Sequence, residues 1–329
     1  MKRLRLLIVG AVGAVAGVVL LLLSGVLNFA ASSGHWDVTD LFFDLAARQS
    51  VTLRSVGIDV PDLDDPRMIR RGAGHYEMVC AACHGSPGRP PEAFAANLTP
   101  RPPLLLEQMQ RWRPAERTFF TVKHGIKRTA MPAWPTQLRD DEVWEMVAFL
   151  EAMPSLTTDD YRALAGDRRI ANCTNCHGDD GRGRGNAFPR LDIQSSLYLA
   201  GALRAFRDGH RASGTMISAA SGLTDAQIVE LSAVLGQGTV VEPEGAEHGR
   251  AIAAGEVAGL PACDSCHGPS ARPDFPRLAG QQRDFLIRQL ELFTTLQEQR
   301  GGVHAEIMST AVHRLTPEQK ESVADWYGD

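Results

Sequence analysis

The strongest pattern along the chain lies at its start. Residues 6–29 form an apolar run without a charge, preceded by Lys2, Arg3 and Arg5. A helix needs about 20 apolar residues to cross a bilayer. A cleaved signal peptide carries an apolar core of only about 7–15 residues. The run therefore predicts a retained transmembrane anchor over 1–31, while the small residues Ala30, Ala31 and Ser32 leave a cleavage site open. The basic residues stay on the cytoplasmic side, which exports everything after the span.

Beyond the run the periodicity changes. Val38, Leu41, Phe42 and Leu45 recur at helical spacing, with Asp37, Asp40 and Asp44 on another side, which predicts a short amphipathic helix after Trp36. Resting on lipid and packing on the next domain both suit it. Pro61, Asp62, Asp64, Asp65 and Pro66 read as a linker that closes a segment over 32–65. A helical stretch runs from Arg67 to Cys80, and a closing helix opens at Asp140, the expected N-cap. Phe188-Pro189-Arg190-Leu191 recurs as Phe275-Pro276-Arg277-Leu278, and Leu223-Thr224-Asp225 recurs as Leu315-Thr316-Pro317-Glu318, an internal repeat. Thr224 and Thr316 are the expected N-caps and Pro317 fits a first helical position. Residues 242–247 read as a second linker. Strand patterning is weak throughout. The expected fold is all-α: an N-terminal transmembrane helix, then three small helical domains over 66–156, 157–241 and 242–329.

The cysteines supply the chemistry. All six fall in one motif used three times, Cys80-Ala81-Ala82-Cys83-His84, Cys173-Thr174-Asn175-Cys176-His177 and Cys263-Asp264-Ser265-Cys266-His267. In C-x-x-C-H both thiols add to the vinyl groups of a haem, and the adjacent histidine is aimed at its iron. Three covalent haem c groups are expected, with His84, His177 and His267 as proximal ligands. The motifs lie roughly 90 residues apart, and domains that small struggle to bury enough apolar surface alone. A large buried cofactor supplies the missing core. Structural zinc needs four ligands gathered from neighbouring pairs, and thioredoxin-like redox pairs need a strand–helix setting; neither suits this pattern.

A sixth iron ligand distinguishes a carrier from a catalyst. Met131, Met216 and Met308 each follow their histidine by roughly 40–50 residues and shortly precede a closing helix. A thioether is a soft ligand that raises the potential. Met68, Met78, Met109, Met146 and Met153 are expected in cores. His124, His210, His304 and His313 compete as ligands, and a solvated or core position suits them better.

On these residues the chain resembles the cytochrome c superfamily. The first domain is similar to the small single-haem type through Cys80–His84 and Met131-Pro132-Ala133-Trp134. The last two together resemble periplasmic dihaem cytochromes c, through their motifs, the repeated Phe-Pro-Arg-Leu, Met216 and Met308. The resemblance implies that a prolyl carbonyl accepts a hydrogen bond from each proximal histidine. Pro189 and Pro276 match that position, and Pro100, Pro102 and Pro103 are alternatives in the first domain. It also implies that Arg190 and Arg277 sit by haem propionates or at the surface. The second domain departs from the pattern: Val234 and Leu235 stand where aromatics are common, and the approach to Cys173 lacks the usual glycines.

Charge adds little until its distribution is considered. The net charge is −5 and no basic stripe suggests nucleic acid. Glu242, Glu244, Glu247, Glu291, Glu298 and Glu306 concentrate acid in the last domain, either a solvated surface or a docking face for a basic soluble cytochrome. The expected role is electron transfer by three His/Met haems, on the periplasmic side of a bacterial inner membrane crossed once, in a respiratory chain leading to a terminal oxidase. The alternative is a cytochrome subunit of a membrane-bound dehydrogenase complex. A peroxidase needs an open iron site, against which a methionine for each haem speaks.

Overall fold

The computed structural model describes residues 2–30, 33–34, 36–109, 114–166, 173–269 and 272–329. The cleavage residues Ala31 and Ser32 and the immediate approach to Cys173 lie outside them. The fold is helical, and among the described residues the only β pairing is isolated bridges.

Helix α1 (Lys2–Leu23) opens with Lys2, Arg3 and Arg5, is apolar from Leu6 onward and buries no residue. Helix α2 (Asp37–Arg54) is amphipathic as expected. It touches the first haem-motif unit, with the Arg128 guanidinium 5.7 Å over the Phe43 ring. Its stripe of Val38, Leu41, Phe42 and Leu45 faces outward, each more than half exposed. So one side packs on protein and the apolar stripe stays open.

The first unit is built on α3 (Pro66–His75), α4 (Ala115–His124) and α5 (Asp140–Ala152). Asp65 caps α3 by accepting from the Arg67 N–H, and Pro66 takes the first helical position. A π-helical turn, Tyr76–Cys80, carries α3 into the motif. Gly72 lets α3 cross α5 closely, since a Cβ there would lie 2.1 Å from the Glu145 carbonyl oxygen. Tyr76, Val143, Met146, Val147, Phe149 and Met153 fill the core, each worth about 1.5–3 kcal/mol of burial for a large apolar side chain. Asp140 does not cap α5. Arg139 holds the N-cap position, and Asp140, the first helical residue, pairs with Lys123 at 2.5 Å. An acid there still favours the positive helix end.

Helix α6 (Thr158–Ala165) begins with a capping box between Thr157 and Asp160. The division at 157 assigns it by sequence to the second domain, but Tyr161 and Ala165 pack into the first unit's core. The Tyr161 hydroxyl donates to Glu77 at 2.5 Å. The chain thus straps the first unit before entering the second motif.

The second and third units repeat one plan. In the second, α7 (Ser196–Arg207), α8 (Gly214–Ala220) and α9 (Asp225–Leu235) follow the motif. In the third, α10 (Glu247–Ala253) precedes it, and α11 (Arg283–Leu296), α12 (Ala305–Val312) and α13 (Pro317–Tyr327) follow. Thr224 and Thr316 each cap with a full capping box, and Pro317 opens α13. Gly249 repeats the device of Gly72: a Cβ would meet the Ser322 carbonyl oxygen at 2.2 Å where α10 crosses α13.

The two repeats clasp each other reciprocally. The Gln194 amide accepts from the Arg277 N–H at 3.0 Å and donates to the Arg277 carbonyl at 2.8 Å. Gln281 does the same for Arg190, at 2.8 and 3.0 Å. Each glutamine stands four residues after its own arginine. Buried backbone groups that would otherwise lack partners are satisfied across the interface.

Candidate functional site

Each motif makes a one-turn helix whose histidine is its last residue: Ala81–His84, Thr174–His177 and Asp264–His267. Three histidines then meet three prolyl carbonyls. Nδ1 lies 2.9 Å from Pro103 O in His84, 2.9 Å from Pro189 O in His177 and 2.7 Å from Pro276 O in His267. Pro103 is thus singled out from its neighbours Pro100 and Pro102. Burial holds each imidazole below its ordinary value, opposed by the carbonyl hydrogen bond. A neutral ring that donates its Nδ1 proton presents the Nε2 lone pair, the state a metal requires.

The methionines are placed unequally. Met308, on α12, brings its sulfur to 3.3 Å from His267 Nε2. Met216, the third residue of α8, lines the same cavity as His177. The Ser213 hydroxyl caps that helix by accepting from the Met216 N–H at 3.1 Å. Met131 is half-buried in a loop closed by its own carbonyl, which accepts from Ile126 N–H at 3.2 Å.

No disulfide joins the six cysteines. Burial pushes Cys80 up to about 12, and Cys176 and Cys263 up to about 11. Among the described residues, no group of three or more His, Cys, Asp or Glu side chains is placed to hold a bare metal ion.

A cavity of about 820 Å³ runs between the second and third units. Cys173, Cys176, His177 and Met216 line it from one unit, His267 and Met308 from the other. Its size is at the upper end for small-molecule and cofactor sites. Thiols, a histidine with a free Nε2 and a methionine in one apolar cavity fit a covalently held haem. Arg190 and Arg277 reach this wall. Arg190 is tied to Asp192 at 2.5 Å, and Arg277 donates to the Gly238 carbonyl.

Among the alternatives, His304 stacks on Phe275 with centroids 4.0 Å apart and pairs with Asp274 at 3.3 Å. Met146 and Met153 are core residues, and Met68 and Met109 pack against that core. Met78 instead reaches the cavity wall. Sequence reasoning missed the glutamine clasp, although glutamine at the same offset after both Phe-Pro-Arg-Leu copies was its visible trace. It also missed Tyr327, whose hydroxyl donates to Asp264 inside the third motif at 2.5 Å.

Comparison with known proteins agrees with this chemistry. A family profile described as cytochrome C oxidase, cbb3-type, subunit III, matches residues 67–150. The chain is 34% identical to a thiosulfate dehydrogenase electron acceptor of Thiomonas intermedia over 172 residues, covering 47% of this chain and 77% of that protein. It is 28% identical to a cytochrome c4 of Pseudomonas aeruginosa over 174 residues, 50% of this chain and 86% of that one. A solved cytochrome c4 of Acidithiobacillus ferrooxidans, 30% identical, aligns with 47% of this chain and 96% of its own, with a TM-score of 0.41. With C-x-x-C-H motifs whose histidines are carbonyl-bound, and relatives that are haem c carriers, this chain belongs to the cytochrome c family and is an electron-transfer protein with a tandem resembling dihaem cytochrome c4.

Proposed function

We propose that the chain carries three His/Met haem c groups in units 66–156, 157–241 and 242–329, with α6 at the start of the second packed on the first, as one membrane-anchored electron wire. The thioether residues are Cys80 and Cys83, Cys173 and Cys176, and Cys263 and Cys266. The axial pairs are His84 with Met131, His177 with Met216, and His267 with Met308. The observation that carries this reading is the threefold histidine–prolyl carbonyl contact, with the Met308 sulfur turned toward His267 Nε2 in the third unit.

The haem, when bound, supplies a one-electron couple. The chain's own residues do the rest. The prolyl carbonyls fix each imidazole, the cap of Ser213 holds the helix that bears Met216, and the apolar walls keep water away. All three units lie after α1, so an inner-membrane anchor at 1–31 with periplasmic haem units is consistent with the basic residues that precede it. Confinement to one surface raises the effective concentration of membrane partners.

The profile match over 67–150 supports electron flow in a respiratory chain toward a terminal oxidase. The second reading, a cytochrome subunit serving a dehydrogenase complex, is favoured by the thiosulfate dehydrogenase electron acceptors among the relatives. Co-purification from membranes in mild detergent separates the two, since an oxidase and a dehydrogenase differ in composition. The axial pairs are tested one at a time. Met131→Ala, Met216→Ala and Met308→Ala should each remove one sulfur-to-iron absorption from the oxidised spectrum and lower one midpoint. A methionine whose replacement changes neither is not a ligand.

A further inference from the structure

The contact between the first unit and the loop that bears Met216 is polar, buried and not explained by holding either cofactor. Glu142, near the start of α5, is 6% exposed. Its carboxylate reaches into the second unit. There it accepts from the Ser213 hydroxyl and the Gly214 N–H, both at 2.6 Å, and from the Thr215 N–H at 3.3 Å. Arg139 lies 3.0 Å from the same carboxylate and donates to the Ala212 carbonyl at 3.1 Å. The four residues immediately before Met216 are therefore held by groups of the first unit.

Beside this latch lies an aromatic plate. The His75 ring stacks on Trp134 with centroids 4.5 Å apart, and its Nδ1 is 3.1 Å from the Thr215 hydroxyl. Trp134 stands three residues after Met131, and Thr215 directly before Met216. The indole fills the place where a Cβ of Gly214 would be, 2.1 Å from Nε1. On the other side, a Cβ on Gly74 would be 3.1 Å from the Cys176 sulfur. One continuous chain of contacts thus runs from the Met131 loop through Trp134, His75 and Thr215 to Met216.

Domains joined by modest interfaces move relative to one another by default. A buried carboxylate changes that, because it is tolerated only where its hydrogen bonds are made, and slippage would break the three that Ser213, Gly214 and Thr215 supply, leaving Arg139 alone beside it. We propose that Glu142 is a positioning residue that fixes the first haem unit on the Met216 loop, so that electrons pass between the first and second centres across the Trp134–His75–Thr215 contact without domain motion. This rests on the reading of Met131 and Met216 as axial ligands. One electron leaves the donor centre, which is oxidised by one, and reduces the acceptor centre by one; no proton moves and no bond changes.

The test uses the full-length, haem-loaded protein in detergent. Two quantities are read: amide exchange at Gly214 and Thr215, and the rate of electron equilibration after flash reduction, in buffers of increasing viscosity. The wild-type rate should not depend on viscosity. Glu142→Ala should speed the two amides by about tenfold, the size expected for loss of a charge-assisted hydrogen bond, and make electron transfer slower and viscosity-dependent. Glu142→Asp should recover much of both. Glu142→Gln, an isosteric change should Glu142→Ala fold poorly, should move both quantities in the same direction by less, since its amide nitrogen cannot accept the hydrogen bonds that the second carboxylate oxygen does. Asp159→Asn, on an exposed side chain of α6, should change nothing. Unchanged exchange and rate in Glu142→Ala or Glu142→Gln overturn the proposal. Met216→Ala serves separately: retention of every sulfur-to-iron band contradicts the ligand reading, while the exchange result still judges the latch.

Discussion

Glu145 offers a sharp test of how the units are bound together. It lies on α5 with its side chain 9% exposed, and one carboxylate oxygen meets two arginines. Arg71 Nε, from α3, is 2.6 Å away, and Arg288 Nη1, from α11 of the third unit, is 2.8 Å away. Arg71 also reaches the Ala187 carbonyl of the second unit at 3.5 Å. Removing the carboxylate leaves two neighbouring cations without their shared anion. Breaking a buried pair costs about 3–5 kcal/mol. Arg71 is only 12% exposed, but Arg288, at 29%, can turn to water. Glu145→Ala should therefore sit at the lower end, about 3 kcal/mol. Arg288→Ala, which removes the wetter partner, should cost only about 1 kcal/mol. Replacing both buried partners, Arg71→Met with Glu145→Leu, should recover most of the loss, because a buried ion pair exchanged for apolar groups is often neutral. The assay is guanidinium unfolding of the haem-loaded protein, followed by haem absorption and by tryptophan fluorescence. Glu145→Ala should also separate the two transitions, as the third unit loses its tie to the first. A midpoint within error of wild type, with coincident transitions, would refute the reasoning.

Further predictions follow from burial and charge. Burial lowers His75 to about 4, so between pH 6.5 and 4 the unfolded chain binds a proton that the folded chain does not. Stability should fall with pH across that window by about 3 kcal/mol, and His75→Gln should flatten the slope of unfolding midpoint against pH; an unchanged slope would exclude His75 as its source. Replacing residues 6–29 with a cleavable signal should yield a soluble, haem-loaded protein, whereas native protein already soluble and starting near Ser32 would make the segment a signal peptide. Reduction by a basic soluble cytochrome should slow as salt rises, and neutralising Glu242 and Glu244, or Glu291 and Glu298, should weaken that dependence without moving midpoints; Glu247 is a poorer target because Arg250 pairs with it at 2.7 Å. Rates indifferent to salt would leave the acid as solvated surface.

What the sequence disclosed was local. The three motifs, the caps at Thr224 and Thr316 and the repeated Phe-Pro-Arg-Leu each occupy a few consecutive residues, where steric and hydrogen-bonding rules act over short range. Asp140 was misplaced by one residue because either neighbour can begin a helix, and its pairing with Lys123 is a tertiary contact. Pro103 had no local advantage over Pro100 and Pro102; only the position of His84 chooses it. The packing of α6 on the first unit followed no linker signal, since Tyr161 finds Glu77 across 84 residues of sequence. The latch at Glu142 was equally invisible: an acid in the first turn of a helix reads as a macrodipole partner, and its hydrogen bonds lie 71 to 73 residues away. Departures in the second unit have a physical counterpart in the same fold. Val234 is 65% exposed, so no aromatic is needed there, while Leu235 turns inward.

The central claim is three haems in one chain, each held by its own pair of cysteines. Intact mass of the mature protein under denaturing conditions measures it directly, because thioether-linked haem survives where bound haem would be lost. The account predicts a mass of polypeptide plus three haems and no thiol open to alkylation. A mass short by one haem, with two alkylatable cysteines in a single motif, would contradict it.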